Sequence, residues 1–330
     1  MILITGGAGY IGSHTVINFI NAGYDVVIFD NLETGHIEIV ETLKELGNVE
    51  FVKGDLKNIE DINNVFDKYS IEAVIHFAAN SLVGESVTNP SKYYRNNSFG
   101  TLNLMDSMVR HDVKKIVFSS TCATYGEPTY TPLDENHSQN PISPYGTSKL
   151  IIEMMMKEFD NAYGLKSIKL RYFNVAGCDE QARVGEWHEP ETHLIPNILK
   201  STFSGGKSFK IFGDNYDTED GTCIRDYVNV EDLAEAHRLA LEYLNHENKS
   251  DVFNLGTEKG DSVKKVFDTC EKVLGYKIPV EIVERRAGDP AKLYANANKA
   301  KMILGWKPSR TLEDSISSAY EWEKKLQKNG

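Results

Sequence analysis

Positive charge is in short supply in this chain. Lysine and arginine number 36 against 48 aspartates and glutamates, for a net charge of −12. That balance excludes a broad surface for nucleic acid or for an anionic membrane. An anionic ligand is then held only in a local pocket of a few Arg, Lys and backbone N–H groups. Cysteine is scarce too. Cys122, Cys178, Cys223 and Cys270 form no CxxC pair, and none has a His partner nearby at ligand spacing. Neither a disulfide framework nor a metal site is expected from them. No apolar run approaches the ~20 residues of a membrane span. The N-terminus lacks a basic leader, and its apolar run, Met1 to Ile4, stops at a glycine-rich turn. The expectation is a cytoplasmic protein with reduced, mostly buried thiols and no targeting extension.

What is present is the composition of a soluble enzyme. Hydrophobic residues make up 41% and charged residues 25% of the 330, which excludes disordered and collagen-like chains. The length suits two lobes better than a single core. Apolar stretches alternate with helical spacing through the first half. Strands are predicted at Ile2–Ile4, Asp25–Phe29, Val49–Val52, Ala73–Phe77, Lys115–Ser119 and Ser167–Arg171. Helices are predicted at Ile11–Ala22, Ile59–Lys68 and Asn97–His111. This order implies an α/β fold, a Rossmann-like doubly wound parallel sheet, with a smaller mixed α/β substrate-binding lobe. The second half is less regular. It offers a helix over Val230–Leu244, strands at Val252–Leu255 and Val280–Val283, and a closing helix over Leu312–Gln327. The boundary is placed so that residues 1–172 form the dinucleotide domain and 173–330 the second lobe. The chain is expected to return to the first domain around 226–248.

The first strand runs into Thr5-Gly6-Gly7-Ala8-Gly9-Tyr10-Ile11-Gly12 and then a helix. Gly6 permits a tight turn, Gly9 lets backbone approach a pyrophosphate, and Gly12 lets helix and strand pack closely. The helix N-terminus offers unpaired N–H groups to phosphate oxygens. Asp30 ends the second strand. There a carboxylate either accepts from ribose hydroxyls, favouring NAD over NADP, or caps the loop. Asp55 ends the third strand and either meets the adenine edge or caps the next helix. Further along, Pro144-Tyr145-Gly146-Thr147-Ser148-Lys149 sets Tyr145 and Lys149 at i and i+4, on one face of a helix. A phenol is a poor base at neutral pH. Lowering its pKa by about three units takes ~4 kcal/mol of phenolate stabilisation, which a neighbouring ammonium and a positive nicotinamide ring supply together. Thr121, ending the fifth strand, adds a hydroxyl to that neighbourhood.

These segments resemble the extended short-chain dehydrogenase/reductases, and within them the UDP-glucose 4-epimerases. The likeness rests on TGGAGYIGSH (5–14), DNLETG (30–35), HFAA (76–79), NNSFGT (96–101), SSTCATYG (119–126), SPYGTSK (143–149), LRYFNVAG (170–177), HLIPNIL (193–199), IFGDNYDTEDGTCIRDYVNVEDLAEAH (211–237) and RRAGDPA (285–291). The TEDGTCIRDYV stretch is the most specific, since it lies outside the shared cofactor lobe. The resemblance implies Tyr145 as active-site base and acid, Lys149 as its electrostatic partner and Thr121 as the hydroxyl on the sugar oxygen. It implies NAD contacts from Gly6, Gly9, Tyr10, Ile11, Gly12, Asp30, Asn31, Asp55, Leu56, Phe77, Ala78, Asn96 and Phe173. It places Asn174, Leu194, Phe212, Arg225, Arg286 and Asp289 around the nucleotide sugar. The implied reaction is reversible C4 epimerisation of UDP-glucose and UDP-galactose through a 4-keto sugar, with NAD retained.

Rivals within the superfamily fit less well. The 4,6-dehydratases set an acidic pair after the residue matching Thr121, and the decarboxylases a nearby Glu. Here Cys122-Ala123 follows, without a carboxylate. A non-catalytic NAD or nucleotide-sugar sensor would lose the tyrosine or lysine, and both are present. A UDP-N-acetylhexosamine or a UDP-uronate stands as the alternative substrate. In the resembling family a residue between Asp289 and Tyr294 decides whether N-acetyl groups fit. Alignment puts Leu293 there, which implies turnover of UDP-N-acetylglucosamine, and a shift of one residue to Tyr294 reverses that. Finally, Leu150 to Met156 is apolar almost all round. One face packs on the sheet, and the rest is covered by a partner subunit or by the second lobe. The resemblance implies a homodimer through helices near 97–111 and 146–163.

Overall fold

The computed structural model describes residues 1–203, 208–285 and 289–329. In the first half the strands are β1 (Ile2–Thr5), β2 (Val26–Asp30), β3 (Val49–Lys53), β4 (Ala73–His76), β5 (Lys115–Ser119) and β6 (Lys166–Tyr172). The helices between them are α1 (Tyr10–Asn21), α2 (Ile37–Leu46), α3 (Ile59–Lys68), α4 (Val83–Thr88), α5 (Pro90–Tyr93), α6 (Gly100–Arg110) and α7 (Pro144–Tyr163). The second half adds β7 (Asn174–Ala176), β8 (Phe209–Phe212), β9 (Ile224–Arg225), β10 (Tyr227–Asn229), β11 (Asp251–Leu255), β12 (Asp261–Ser262), β13 (Val280–Val283) and β14 (Lys292–Leu293). Its helices are α8 (Leu194–Phe203), α9 (Val230–Glu247), α10 (Val263–Leu274), α11 (Asn298–Ile303) and α12 (Leu312–Asn329).

Seven strands form one parallel sheet in the order β11-β6-β5-β4-β1-β2-β3. The doubly wound sheet expected from the sequence is therefore present. Every residue of β1, β2 and β4 is buried, because helices cover both faces and leave no polar side to alternate. Successive residues divide between two cores. Ile2, Ile4, Val26 and Ile28 pack with Val16 and Phe19 of α1 and with Leu233, Ala240 and Leu244 of α9. Leu3, Val27 and Phe29 pack with Ile62 and Val65 of α3, Leu104 and Met108 of α6, and Ile152 and Met156 of α7. A third cluster, outside the sheet, joins Ile198 of α8, Ile211 of β8, Phe267 of α10 and Ile316 of α12.

Local chemistry fixes the helix ends. Ser143 caps α7 by accepting from the Gly146 N–H, Pro144 opens the helix, and Gly164 closes it at φ 68°. Asn229 caps α9 in the same way, accepting from Glu231. The expected helix over 97–111 differs in one respect. Its start is a π-helical turn, Tyr94–Phe99, which runs into α6. The turn buries Asn97, whose Nδ2 donates to Asn80 O and Ser148 Oγ, both at 3.0 Å, and whose Oδ1 accepts from Asn80 N at 2.9 Å. One extra residue in the turn is the backbone adjustment that admits this side chain and swings its neighbour Asn96 to the cleft. Helices α2, α4, α5, α8, α10 and α11 are not among the expected elements. Among the described residues no helix is long and apolar enough to cross a membrane.

Candidate active site

The sheet reverses its winding between β1 and β4, and a cleft of about 660 Å³ opens at the carboxyl ends of these strands. Its first wall is the turn after β1. Gly6 sits at φ +74°, and a Cβ there would stand 2.7 Å from Ala78 N. A Cβ on Gly12 would stand 2.1 Å from Gly6 O. Only glycine lets the turn, α1 and the end of β4 come this close. Gly9 precedes α1 with no side-chain cap, and the first turn of α1 holds no acid. The N–H ends of α1 thus face the cleft beside Gly9, Tyr10, Ile11 and Gly12. The Tyr10 hydroxyl donates to Gly177 O at 2.5 Å, tying the turn to the segment after β7.

Asp30 is buried at the tip of β2. Its carboxylate accepts from Ala8 N at 3.1 Å and Leu32 N at 2.9 Å. Burial raises its pKa, opposed by those two bonds. Asn31 Nδ2 donates to Asp55 Oδ2 at 3.3 Å, which joins the ends of β2 and β3. Burial pushes Asp55 up, but Lys57 and Asn31 outweigh it and hold the group low. Asp30, Asn31, Asp55, Leu56, Phe77, Ala78 and Asn96 all line this half of the cleft.

The other half centres on α7. Tyr145 and Lys149 lie one turn apart, and both face the cleft with Thr121. Lys149 is 3% exposed, and its Nζ donates to Ser119 O at 2.8 Å. The same Nζ lies 6.0 Å from the Tyr145 ring centre. Burial lowers Lys149 to about 7, against the field of Glu153. Burial raises Tyr145 to about 12, while a hydrogen bond with Thr121 pulls the other way. The protein's own groups therefore keep the phenol protonated at neutral pH. Thr121 Oγ1 also accepts from Ala123 N at 3.1 Å, which fixes the hydroxyl at the end of β5. One turn further along α7, Glu153 takes the Arg171 Nε at 2.9 Å and the Ser120 hydroxyl at 2.6 Å. This buried pair holds α7 against β6 behind the site.

Phe173 and Asn174 enter the cleft from the end of β6 and the start of β7. Arg225 Nη1 donates to Ile224 O at 2.9 Å and Pro290 O at 2.8 Å, and Nη2 stands 3.5 Å from Asp289 Oδ1. Arg225, Asp289 and Leu293 line the wall, and Tyr294 is not among the lining residues. Leu194 and Phe212 are not among them either. Phe212 ends β8 at 37% exposure. Arg286 lies outside the described residues.

Sequence reasoning missed several lining residues. Tyr172 shares a short hydrogen bond with the Ser119 hydroxyl beneath Tyr145. His188 and His193 face the cleft from the loop between β7 and α8, grouped with Glu186 and Glu191. The only signal for that group was the run Glu186-Trp-His188-Glu-Pro-Glu191-Thr-His193, whose spacing matches neither a helix face nor a strand face.

The profile of the GDP-mannose 4,6 dehydratase family matches residues 3–319. The chain is 51% identical over 324 residues to the UDP-glucose 4-epimerase of Halalkalibacterium halodurans, covering 98% of this chain and 95% of that protein. The UDP-glucose 4-epimerase of Brucella ovis, crystallised with NAD, superposes with a TM-score of 0.93 at 44% identity over 97% of each chain. The UDP-Glc/GlcNAc 4-epimerase of Campylobacter jejuni superposes with a TM-score of 0.87 at 41% identity, covering 98% of this chain and 99% of that one. With likeness of this degree along nearly its whole length, and with this cleft, the chain belongs to the UDP-glucose 4-epimerase family.

Proposed function

We propose that the protein interconverts UDP-glucose and UDP-galactose by inverting C4 of the hexose, as a retained-NAD isomerase. The observation that carries this is a single cleft joining the glycine turn and Asp30 at one end to Tyr145, Lys149 and Thr121 at the other. The chain's residues fit NAD. The uncapped, acid-free start of α1 suits the diphosphate, and the buried Asp30 carboxylate suits ribose hydroxyls and repels a 2′-phosphate. Gly6, Gly9, Tyr10, Ile11, Gly12, Asn31, Asp55, Leu56, Phe77, Ala78, Asn96 and Phe173 complete the assigned cofactor contacts.

When bound, NAD supplies a reversible hydride acceptor and a positive charge beside the phenol. Tyr145 Oη removes the 4-hydroxyl proton and returns it to the C4 oxygen after the keto sugar has turned its opposite face to the cofactor side of the cleft. The sugar passes through a 4-keto form and the net redox change is nil. Lys149 steadies the phenolate by charge, and Thr121 holds the sugar oxygen. Arg225 grips the diphosphate while Asn174 and Asp289 meet the nucleotide sugar's polar groups. Leu194, Phe212 and Arg286 are assigned to the same ligand on family resemblance. Firm grip on the nucleotide and slack grip on the hexose let the keto sugar turn over. Proton transfer from a positioned base accounts for ~10²–10⁴-fold of the rate.

Leu293 on the cleft wall favours a second activity, turnover of UDP-N-acetylglucosamine. We further assign residues 1–172, with a return of the chain after 226, to cofactor binding and the remainder to the sugar nucleotide. A homodimer is assigned to helices near 97–111 and 146–163, where Phe99 is 50% and Met154 57% exposed. None of the four cysteines forms a disulfide, in keeping with a reducing cytoplasm. The deciding experiment is an assay of purified protein on UDP-galactose with no added cofactor. Formation of UDP-glucose without free NADH is the expected result. No turnover, even with NAD supplied, would overturn the assignment.

A further inference from the structure

The loop joining β7 to α8 gathers Glu186, His188, Glu191 and His193 so that one ligand atom from each lies within 4.8 Å of the others. The two carboxylates are not surface groups. The Glu186 side chain is 6% exposed and that of Glu191 4%. His193 Nδ1 stands 2.5 Å from Glu186 Oε1 and 3.5 Å from Glu191 Oε1, and His188 Nδ1 stands 3.2 Å from Glu186 Oε1. Glu191 Oε1 accepts from the N–H groups of Thr192 and His193 at 2.8 and 2.9 Å, which pins that carboxylate. Its other oxygen, Oε2, and His188 Nδ1 are buried without a hydrogen bond. Lys200 Nζ forms a long ion pair with Oε2 at 3.8 Å.

Two buried carboxylates this close share a proton or hold a positive group between them, either a protonated imidazole or a metal ion. A tetrahedral ion with bonds of ~2.1 Å sets its ligands ~3.4 Å apart, close to the 3.2 and 3.5 Å separations here, and its entry would open the 2.5 Å hydrogen bond between His193 and Glu186. Two imidazoles and two carboxylates are the donors that first-row divalent ions take. The loop is also held for the task. Trp187 stacks on His36 with ring centres 3.8 Å apart, and its carbonyl is 3.0 Å from His36 Nε2. Trp322 Nε1 donates to Glu186 O at 2.9 Å. Backbone at the start of the cluster, Glu186 and Trp187, is therefore anchored, as a preorganised ligand set requires.

We infer that Glu186, His188, Glu191 and His193 bind one divalent transition-metal ion of the zinc class on the wall of the cleft. The rival is a metal-free cluster in which protonated imidazoles neutralise the carboxylates. The test uses untagged full-length protein stripped with a chelator, then titrated with Zn²⁺ by calorimetry and with Co²⁺ by visible absorption. The expected result is one ion per chain, Co²⁺ d–d bands without a thiolate charge-transfer band, and a rise in Tm with Zn²⁺. Glu186→Gln and His193→Gln should each weaken binding by at least about 100-fold. His188→Asn, a milder change at a part-exposed position, should weaken it too while near-UV dichroism stays native. No stoichiometric uptake, unchanged affinity in folded variants, or a thiolate band assigning the ion to the cysteines would each overturn the inference.

Discussion

Tyr145 works from an unfavourable starting point. Burial holds its phenol up near 12, and burial also brings Lys149 down to about 7, so neither group alone makes a phenolate at neutral pH. In the proposed reaction the base is made by the pair together with the charge of the bound dinucleotide. Tyr145→Phe should fold, keep its NAD and lose ~10²–10⁴-fold in kcat, measured beside the NAD content of the purified variant. Retained activity would require another base. At the hexose end, Leu293→Tyr should cut kcat/KM for UDP-N-acetylglucosamine by ~10–200-fold, with UDP-galactose much less affected. Equal losses on both sugars would make position 293 a general packing residue. Single residues were readable where their spacing carries a mechanism. The glycines at 6, 9 and 12 and the Tyr145/Lys149 pair are of this kind. His188 and His193 were not readable, since a loop with no period brings them to the cleft.

Helix α7 shows why an element matters beyond the residue proposed as base. Tyr145, Lys149 and Glu153 follow at four-residue steps, and Glu153 is locked to Arg171 of β6. Glu153→Gln leaves the Arg171 charge uncompensated in the core and should cost about 3–5 kcal/mol in urea unfolding. An unchanged midpoint would show that water or Tyr125 takes over the guanidinium. The strands of the large sheet were legible as short runs rich in β-branched and other apolar residues, buried throughout in β1, β2 and β4. Helix α8 was obscured by Pro196 in its first turn. Of the small-sheet strands only β13 was expected, at Val280–Val283, and the pairings were hidden for a different reason. β8 pairs with β13, and β9 with β14 and β12, across long stretches of chain, and no local pattern announces such partners. The π turn at Tyr94–Phe99 keeps helical spacing in sequence, so only the buried Asn97 betrays it.

At the scale of the molecule, acid is the expected weakness. His14, His76 and His237 are buried and neutral. Burial lowers them to about 4, 3 and 4 from an ordinary 6.5. Because the folded values lie below the unfolded one, their contribution is complete above pH 6.5 and is lost as pH falls towards the folded values. Unfolding free energy should drop by up to about 2 kcal/mol per histidine between pH 7 and pH 5. Stability unchanged over that interval would mean these rings are protonated in the fold. The large sheet also has a history in time. Its outer strand β11 and the helix α9 that covers α1 come from Asp251–Leu255 and Val230–Glu247, long after β6. A chain emerging from the ribosome therefore carries an open strand edge on β6 and a bare apolar face on α1 until residue 255 is free to dock. Synthesis speed through this interval, and chaperones that shield nascent edges, should govern how much of the protein reaches its active form.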